Sequence, residues 1–222
     1  MDAFPARPGT PPGSGPPRRR GARPLSRGNP TLSALVPPPA SLKGFPSLRL
    51  TGLRLYRIYR AGRNPWWFSS DGTGRFDLPP ESGRGTCYLA EEPVGCFLEV
   101  FRFWTLVPEA ELVARRLVLL DLPPVLLADC SSGRCREFGL TGEIHSTPDY
   151  GVTQAWATAF AAAGFNGIRY LLRHDPGQSL TGTAFFGPAG AADRPFRPGE
   201  PIGSEVTEEA ERRFGVRVVP TP

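Results

Sequence analysis

An α+β fold is predicted by three features of this 222-residue chain. Short apolar runs with a period of two read as strands, and two longer stretches carry helix boundaries. The connections between them lack the regular long crossovers of a doubly wound sheet.

The first strand is Leu53-Arg-Leu-Tyr-Arg-Ile-Tyr59, where apolar and basic side chains alternate as on a half-buried strand. Asn64 to Asp77 follows as a loop rich in turn residues, yet it holds the consecutive aromatics Trp66, Trp67 and Phe68. Thr86–Ala90 reads as a second strand. Glu91-Glu-Pro-Val then opens a helix, because acids suit the positive end of the helix dipole and proline lacks only a donor left unused there. That helix is expected to continue from Gly95 through Trp104. Arg116–Leu122 is a strongly apolar strand stopped by Pro123-Pro124. Ser146-Thr-Pro-Asp-Tyr150 supplies a cap and a first-turn proline for a helix through Ala163, with Gly164 as its C′ residue. Two further strands, Gly167–Leu172 and Thr183–Phe186, flank the turn-rich His174-Asp-Pro-Gly-Gln. A charged helix from about Glu205 to Phe214 and a short strand Val216–Val219 close the chain.

Charge and composition divide the chain in two. Of 26 basic and 21 acidic side chains, residues 1–47 hold seven basic (Arg7, Arg18, Arg19, Arg20, Arg23, Arg27, Lys43) and one acidic, Asp2. Residues 1–47 also hold twelve of the 27 prolines and few large apolar groups, so burial cannot offset the entropy of ordering them. They are expected to form a disordered arm, with order beginning near Leu48. The remainder, 48–222, carries 19 basic and 20 acidic groups, which argues against nucleic acid as a ligand. No run approaches the roughly 18 apolar residues of a spanning helix, and no apolar segment follows the N-terminal arginines as in a secretory leader. A soluble, reduced, cytoplasmic protein is expected. Cys87, Cys96, Cys130 and Cys135 lack the spacing of a zinc knuckle, and His145 and His174 stand apart from one another, so no metal is implied.

Glu99 is the sharpest chemical oddity, since its helix is apolar nearly all round (Cys96, Phe97, Leu98, Val100, Phe101). A carboxylate there is costly unless paired or used. Two readings stay open: a functional carboxylate, or a wet stripe on which Glu99 pairs with Arg102 at i,i+3. Arg57 and Arg75 have the forked guanidinium that binds phosphate oxygens in a bidentate manner. Gly72-Thr-Gly74 is too short and wrongly placed for a dinucleotide fingerprint. Trp66, Trp67, Phe68 and Tyr88 either stack on a flat ring or fill the core.

The succession Tyr56-Arg57-Ile58, Gly74-Arg75-Phe76-Asp77, Gly85-Thr-Cys-Tyr88-Leu-Ala-Glu-Glu-Pro93, Phe97-Leu-Glu99-Val and Gly167-Ile-Arg-Tyr170 resembles the RES domain family. That family is best known as the toxin half of bacterial toxin–antitoxin pairs. The resemblance implies an ADP-ribosyltransferase-like fold of mixed strands with flanking helices. It also implies an enzyme that cleaves the nicotinamide–ribose bond of NAD⁺ by hydrolysis, phosphorolysis or ADP-ribosyl transfer, with a helix-turn-helix antitoxin as partner. NAD⁺ is then substrate, and no separate cofactor is implied. The site residues carried over are Glu99 as the catalytic carboxylate and Arg57, Arg75 and Tyr88 as substrate binders. The family's namesake serine falls at Leu172, two residues after Tyr170, and leucine has no hydroxyl to offer. That departure leaves a non-catalytic relative, binding NAD⁺ or a protein, as the alternative.

Overall fold

The structure, a computed structural model, describes residues 35–221. Seven strands form one mixed sheet: β1 (Ser47–Leu50), β2 (Arg54–Arg60), β4 (Arg84–Ala90), β6 (Arg115–Asp121), β7 (Val125–Asp129), β8 (Gly167–Leu171) and β9 (Thr181–Pro188). Their order is β1-β7-β8-β9-β4-β2-β6, with only β7 and β8 parallel. Two small ribbons accompany the sheet. β3 (Trp67–Phe68) pairs with β10 (Gly190–Ala191), and β5 (Leu106–Pro108) pairs with β11 (Arg217–Val219). The helices are α1 (Pro93–Val100), α2 (Glu109–Val113), α3 (Glu143–Ser146), α4 (Tyr150–Ala162) and α5 (Ser204–Phe214).

Alternation along the strands sends apolar groups to both faces, and each face has its own core. One face carries Ile58, Ala90, Ile168 and Ala184, packed by Phe97 of α1, Trp156 and Phe160 of α4 and Val206 of α5. The other face carries Leu55, Cys87, Leu120 and Phe185, covered by Trp66 and Phe68. Those two aromatics are fully buried and stack on each other, so they belong to the core and are not ligand platforms. Trp67 alternates outward and is 52% exposed.

Several boundaries differ from the sequence expectation for identifiable reasons. The helix expected through Trp104 ends at Val100, where Phe101 leaves helical geometry and Trp104 N–H turns back to the Phe101 carbonyl. The cap of α4 is Asp149, whose carboxylate accepts from Gly151 N–H, rather than Ser146, which closes the separate turn α3. Gly164 does take the left-handed conformation after α4, at φ 87°. Pro123-Pro124 stops β6, but β7 begins directly after it. Residues 35–47, expected in the disordered arm, are packed: Leu35 and Phe45 are buried, Phe45 lies edge-on to Phe160, and the Val36 carbonyl accepts from Trp156 Nε1. Two large apolar side chains were enough to tie this stretch to α4. The rest of the arm, residues 1–34, lies outside the described residues.

The feature that creates a site is the join of β4 to β2. β4 pairs with β9 over its whole length and β2 with β6 likewise, yet β2 and β4 share one register pair, Tyr56 with Ala90. Beyond that pair the strands diverge, and the sheet opens as a split.

Candidate active site

The split holds a cavity of about 220 Å³, and Arg57, Arg75, Tyr88 and Glu99 all line it. Arg57 and Ile58 come from β2, Tyr88 to Ala90 from β4, and Cys96, Glu99 and Val100 from α1. Tyr170 from the end of β8 and the following Arg173 and His174 complete the wall, with Arg102 and Tyr150.

Glu99 faces this cavity, half-buried at the last turn of α1. Its Oε1 is buried and has no hydrogen-bond partner among the described residues. Burial raises its pKa, opposed by the positive charges of Arg102, Arg75 and Arg173. Of the two readings of Glu99, the surface pair with Arg102 is not formed: no ion pair joins them, and the carboxylate is aimed inward.

Arg75 is 8% exposed, and burial lowers its pKa. Its Nη1 donates to the Thr147 carbonyl at 2.8 Å and its guanidinium lies 4.9 Å from the centre of the Tyr150 ring. Its Nη2 is buried without a partner. The loop that presents it is held from two sides. From α4, Thr153 Oγ1 donates to the Arg75 carbonyl and Gln154 Nε2 to the carbonyls of Gly72 and Gly74. From β4, the Tyr88 hydroxyl donates to Asp77 Oδ1 at 2.8 Å and accepts from Phe76 N–H at 2.9 Å, while Asp77 Oδ2 accepts from Gly74 N–H. Glycine is required at 74 by this close approach, since a Cβ there would overlap both Asp77 Oδ1 and the Tyr88 oxygen. Burial pushes the Asp77 carboxyl up and the Tyr88 phenol well up, the latter helped by the Asp77 charge. The Tyr88 hydroxyl is therefore committed on both its donor and acceptor sides, and it is the ring that Tyr88 offers to the cavity.

Arg57 is tied to the wall. Its Nη1 donates to the carbonyls of Pro65 and Trp67 and to Cys87 Sγ, which ties the guanidinium to the 65–67 segment and to β4. Its Nε and Nη2 hydrogen-bond to no described residue.

Leu172 does not line the cavity. It is 1% exposed, and added methyls at Gly95 or Gly182 would press on its two Cδ atoms, so it fills the floor between the start of α1 and β9. No side-chain hydroxyl hydrogen-bonds Glu99 Oε1 in its stead.

Sequence reasoning had not assigned Tyr170, Arg173, His174, Arg102 or Tyr150 to the site. Tyr170 is buried, its phenol pushed well up by burial and then by the Glu99 charge. His174 is held below its usual range by burial and by Arg173, Arg102 and Arg75. The loop bearing Arg173 and His174 is fixed by Asp175, whose carboxylate accepts from the backbone N–H groups of Gly177, Ser179 and Leu180. The signal for Tyr170 was present in Gly167-Ile-Arg-Tyr170. Gly167 gives room for the Ala184 carbonyl, Arg169 bonds Glu91 at 2.6 Å on the opposite face, and Tyr170 is left to the cavity. Among the described residues no cluster of three or more His, Cys, Asp or Glu is arranged to hold a metal.

The RES domain family matches residues 54–203, which contain the split, its helix α1 and the β8–β9 turn. The chain belongs to this family. No curated protein matches it. Among solved structures, this RES domain is similar to a chain of the crystal structure of the M. tuberculosis MbcT–MbcA toxin–antitoxin complex, at 20% sequence identity and a TM-score of 0.55. The similarity covers 73% of this chain and 90% of that one. The fold is thus α+β of the ADP-ribosyltransferase-like kind. Among the described residues no helix is long and apolar enough to cross a membrane.

Proposed function

We propose that this RES domain cleaves the nicotinamide–ribose bond of NAD⁺. The observation that carries this reading is Glu99: a buried, unpartnered carboxylate oxygen facing a cavity whose wall includes Arg57, Arg75, Arg102 and Arg173 and the rings of Tyr88, Tyr150 and Tyr170. Breaking the glycosidic bond builds positive charge on the ribose carbon. A fixed carboxylate beneath it stabilises the transition state more than the neutral ribose of the ground state. The orphaned Nη2 of Arg75 and the free donors of Arg57 are placed to bind the pyrophosphate. Their rigid tethering to Thr147, Pro65 and Trp67 lowers the entropy lost on binding. The rings of Tyr88 and Tyr150 offer apolar faces, and the Tyr170 hydroxyl, which bonds to no described residue, is available for a ribose hydroxyl.

As in the toxin–antitoxin complex whose chain it resembles, this protein would act as one member of a pair, the toxin, and would do so in the cytoplasm. Its partner would be a helix-turn-helix antitoxin. Val100, which lines the cavity, and the nearby Phe103, 83% exposed, offer apolar surface for such a partner. A second reading, a RES domain that binds NAD⁺ without turnover, is favoured by Leu172 alone. Incubation of the purified protein with NAD⁺, with and without inorganic phosphate, tests both. Release of nicotinamide supports cleavage and the co-product identifies the acceptor, whereas binding without release supports the second reading.

A further inference from the structure

The guanidinium of Arg75 is only as well placed as the loop that carries it, and that loop is exposed at residues 71–73. Gly72 takes the left-handed conformation at φ 76°, where glycine leaves the chain its widest choice of course. Against this loop stands the first turn of α4. Tyr150, Thr153 and Gln154 are spaced i, i+3 and i+4, hence on one face of the helix. That face meets the loop point by point. The Tyr150 ring lies against the Arg75 guanidinium, Thr153 Oγ1 donates to the Arg75 carbonyl, and Gln154 Nε2 donates to the carbonyls of Gly72 and Gly74, both at 2.9 Å.

Of the three, Gln154 is the one that works through other residues. It is half-buried and does not line the cavity, whereas Thr73 and Gly74, which its two bonds bracket, do. Bridging two carbonyl oxygens takes a group with two N–H donors, so the amide nitrogen must face the loop. An ionised glutamate of the same shape has acceptors only and would be repelled there. Among the described residues the Gly72 carbonyl has no other hydrogen bond. Gln154 therefore sets the course of the three residues that lead into Arg75. A guanidinium held in place before the ligand arrives saves the entropy that binding would otherwise cost.

We propose that Gln154 is a positioning residue, which fixes the Arg75 guanidinium for the ligand's pyrophosphate without touching the ligand itself. This rests on the NAD⁺ reading above. The test uses the full chain and two variants: Gln154→Glu, which keeps the shape and loses both donors, and Gln154→Ala. Titration calorimetry gives the Kd for ADP-ribose, which keeps the pyrophosphate and lacks the bond to be cleaved. Nicotinamide release at saturating NAD⁺ gives kcat. Loss of two hydrogen bonds that order the loop should raise the Kd by about tenfold in either variant. The kcat should change by less than about twofold, because a contact equal in ground and transition states affects binding alone. Unfolding midpoints should stay near the parent's, since the side chain is half-buried. The same substitutions are then made beside Arg75→Lys, which removes the fork that Gln154 serves. There they should alter the Kd by less than about twofold, the non-additivity expected of residues acting as one unit. An unchanged Kd, an equal rise in both backgrounds, or a fall in kcat as large as the rise in Kd overturns the role of Gln154 and leaves the NAD⁺ reading in place. A parent that binds ADP-ribose but releases no nicotinamide overturns the cleavage reading, and the Kd values still decide on Gln154. A parent that does neither overturns both.

Discussion

Leu172→Ser distinguishes what the position does in this chain from what a serine there would do. Leu172 is 1% exposed and packed against Gly95 and Gly182, so the substitution removes a buried isobutyl group and installs a hydroxyl in its place. Loss of buried carbon costs about 2–5 kcal/mol in cores of this kind, and an unpartnered buried hydroxyl adds about 1–3 kcal/mol. A fall in unfolding free energy of about 3–8 kcal/mol is expected, read as a lower urea midpoint at unchanged m-value. Because Leu172 fills the floor and does not line the cavity, NAD⁺ consumption by the folded variant should not rise above the parent's. The companion Leu172→Ala isolates the cavity term. A loss below about 1 kcal/mol would refute the packing role. A tenfold gain in NAD⁺ consumption would show that a hydroxyl at 172 reaches the reacting ribose.

Gly74→Ala places a methyl on Asp77 and Tyr88, so it should displace the Arg75 loop, costing about 1–3 kcal/mol of stability. Weaker NAD⁺ binding by calorimetry should accompany that loss. Buried His145 accepts from Leu171 N–H and has its pKa lowered to about 4 by burial and the nearby Arg75 charge. The unfolded chain takes up this proton near pH 6.5 and the folded chain only near 4, so stability should fall as pH drops through that window, by about 3 kcal/mol. His145→Gln should flatten this part of the stability–pH curve, as followed by urea titrations at each pH. Deleting residues 1–47 removes buried Leu35 and Phe45, at about 1.5–3 kcal/mol each, and should lower the urea midpoint.

β2 was legible from its period-two alternation, β6 from a strongly apolar run stopped by Pro123-Pro124, and β4, β8 and β9 from short apolar runs beside turn residues or a helix start. β7 was not, since Pro123-Pro124 reads as a break and its five residues carry no alternation. The shortened α1 was hidden for a related reason: Phe101, Phe103 and Trp104 continue an apolar pattern after the hydrogen-bonded helix has stopped. Glu99 showed itself as a charge in apolar surroundings, but the direction it points depends on how α1 sits across the split, which periodicity does not encode. Arg75 and Arg57 were two among 25 arginines until the order of motifs singled them out. Arg102 had no such marker, because it reaches the cavity from the turn after α1, where the chain has left helical geometry. Trp66 and Phe68 illustrate the converse: aromatics in a loop suggested a ligand, and β3 turned them under the sheet.

Glu99→Gln tests the central claim most directly. The amide keeps the shape of the carboxylate and removes the charge that answers the ribosyl cation, so nicotinamide release from NAD⁺ should fall by about a hundredfold or more while calorimetric NAD⁺ affinity and the unfolding midpoint stay close to the parent's or rise. Burial raises the Glu99 pKa, so the parent's own rate should decline toward acid at a pH above the ordinary glutamate range, a limb the variant lacks. Nicotinamide release by Glu99→Gln at the parental rate would contradict the assignment of Glu99 as the carboxylate that cleaves the bond.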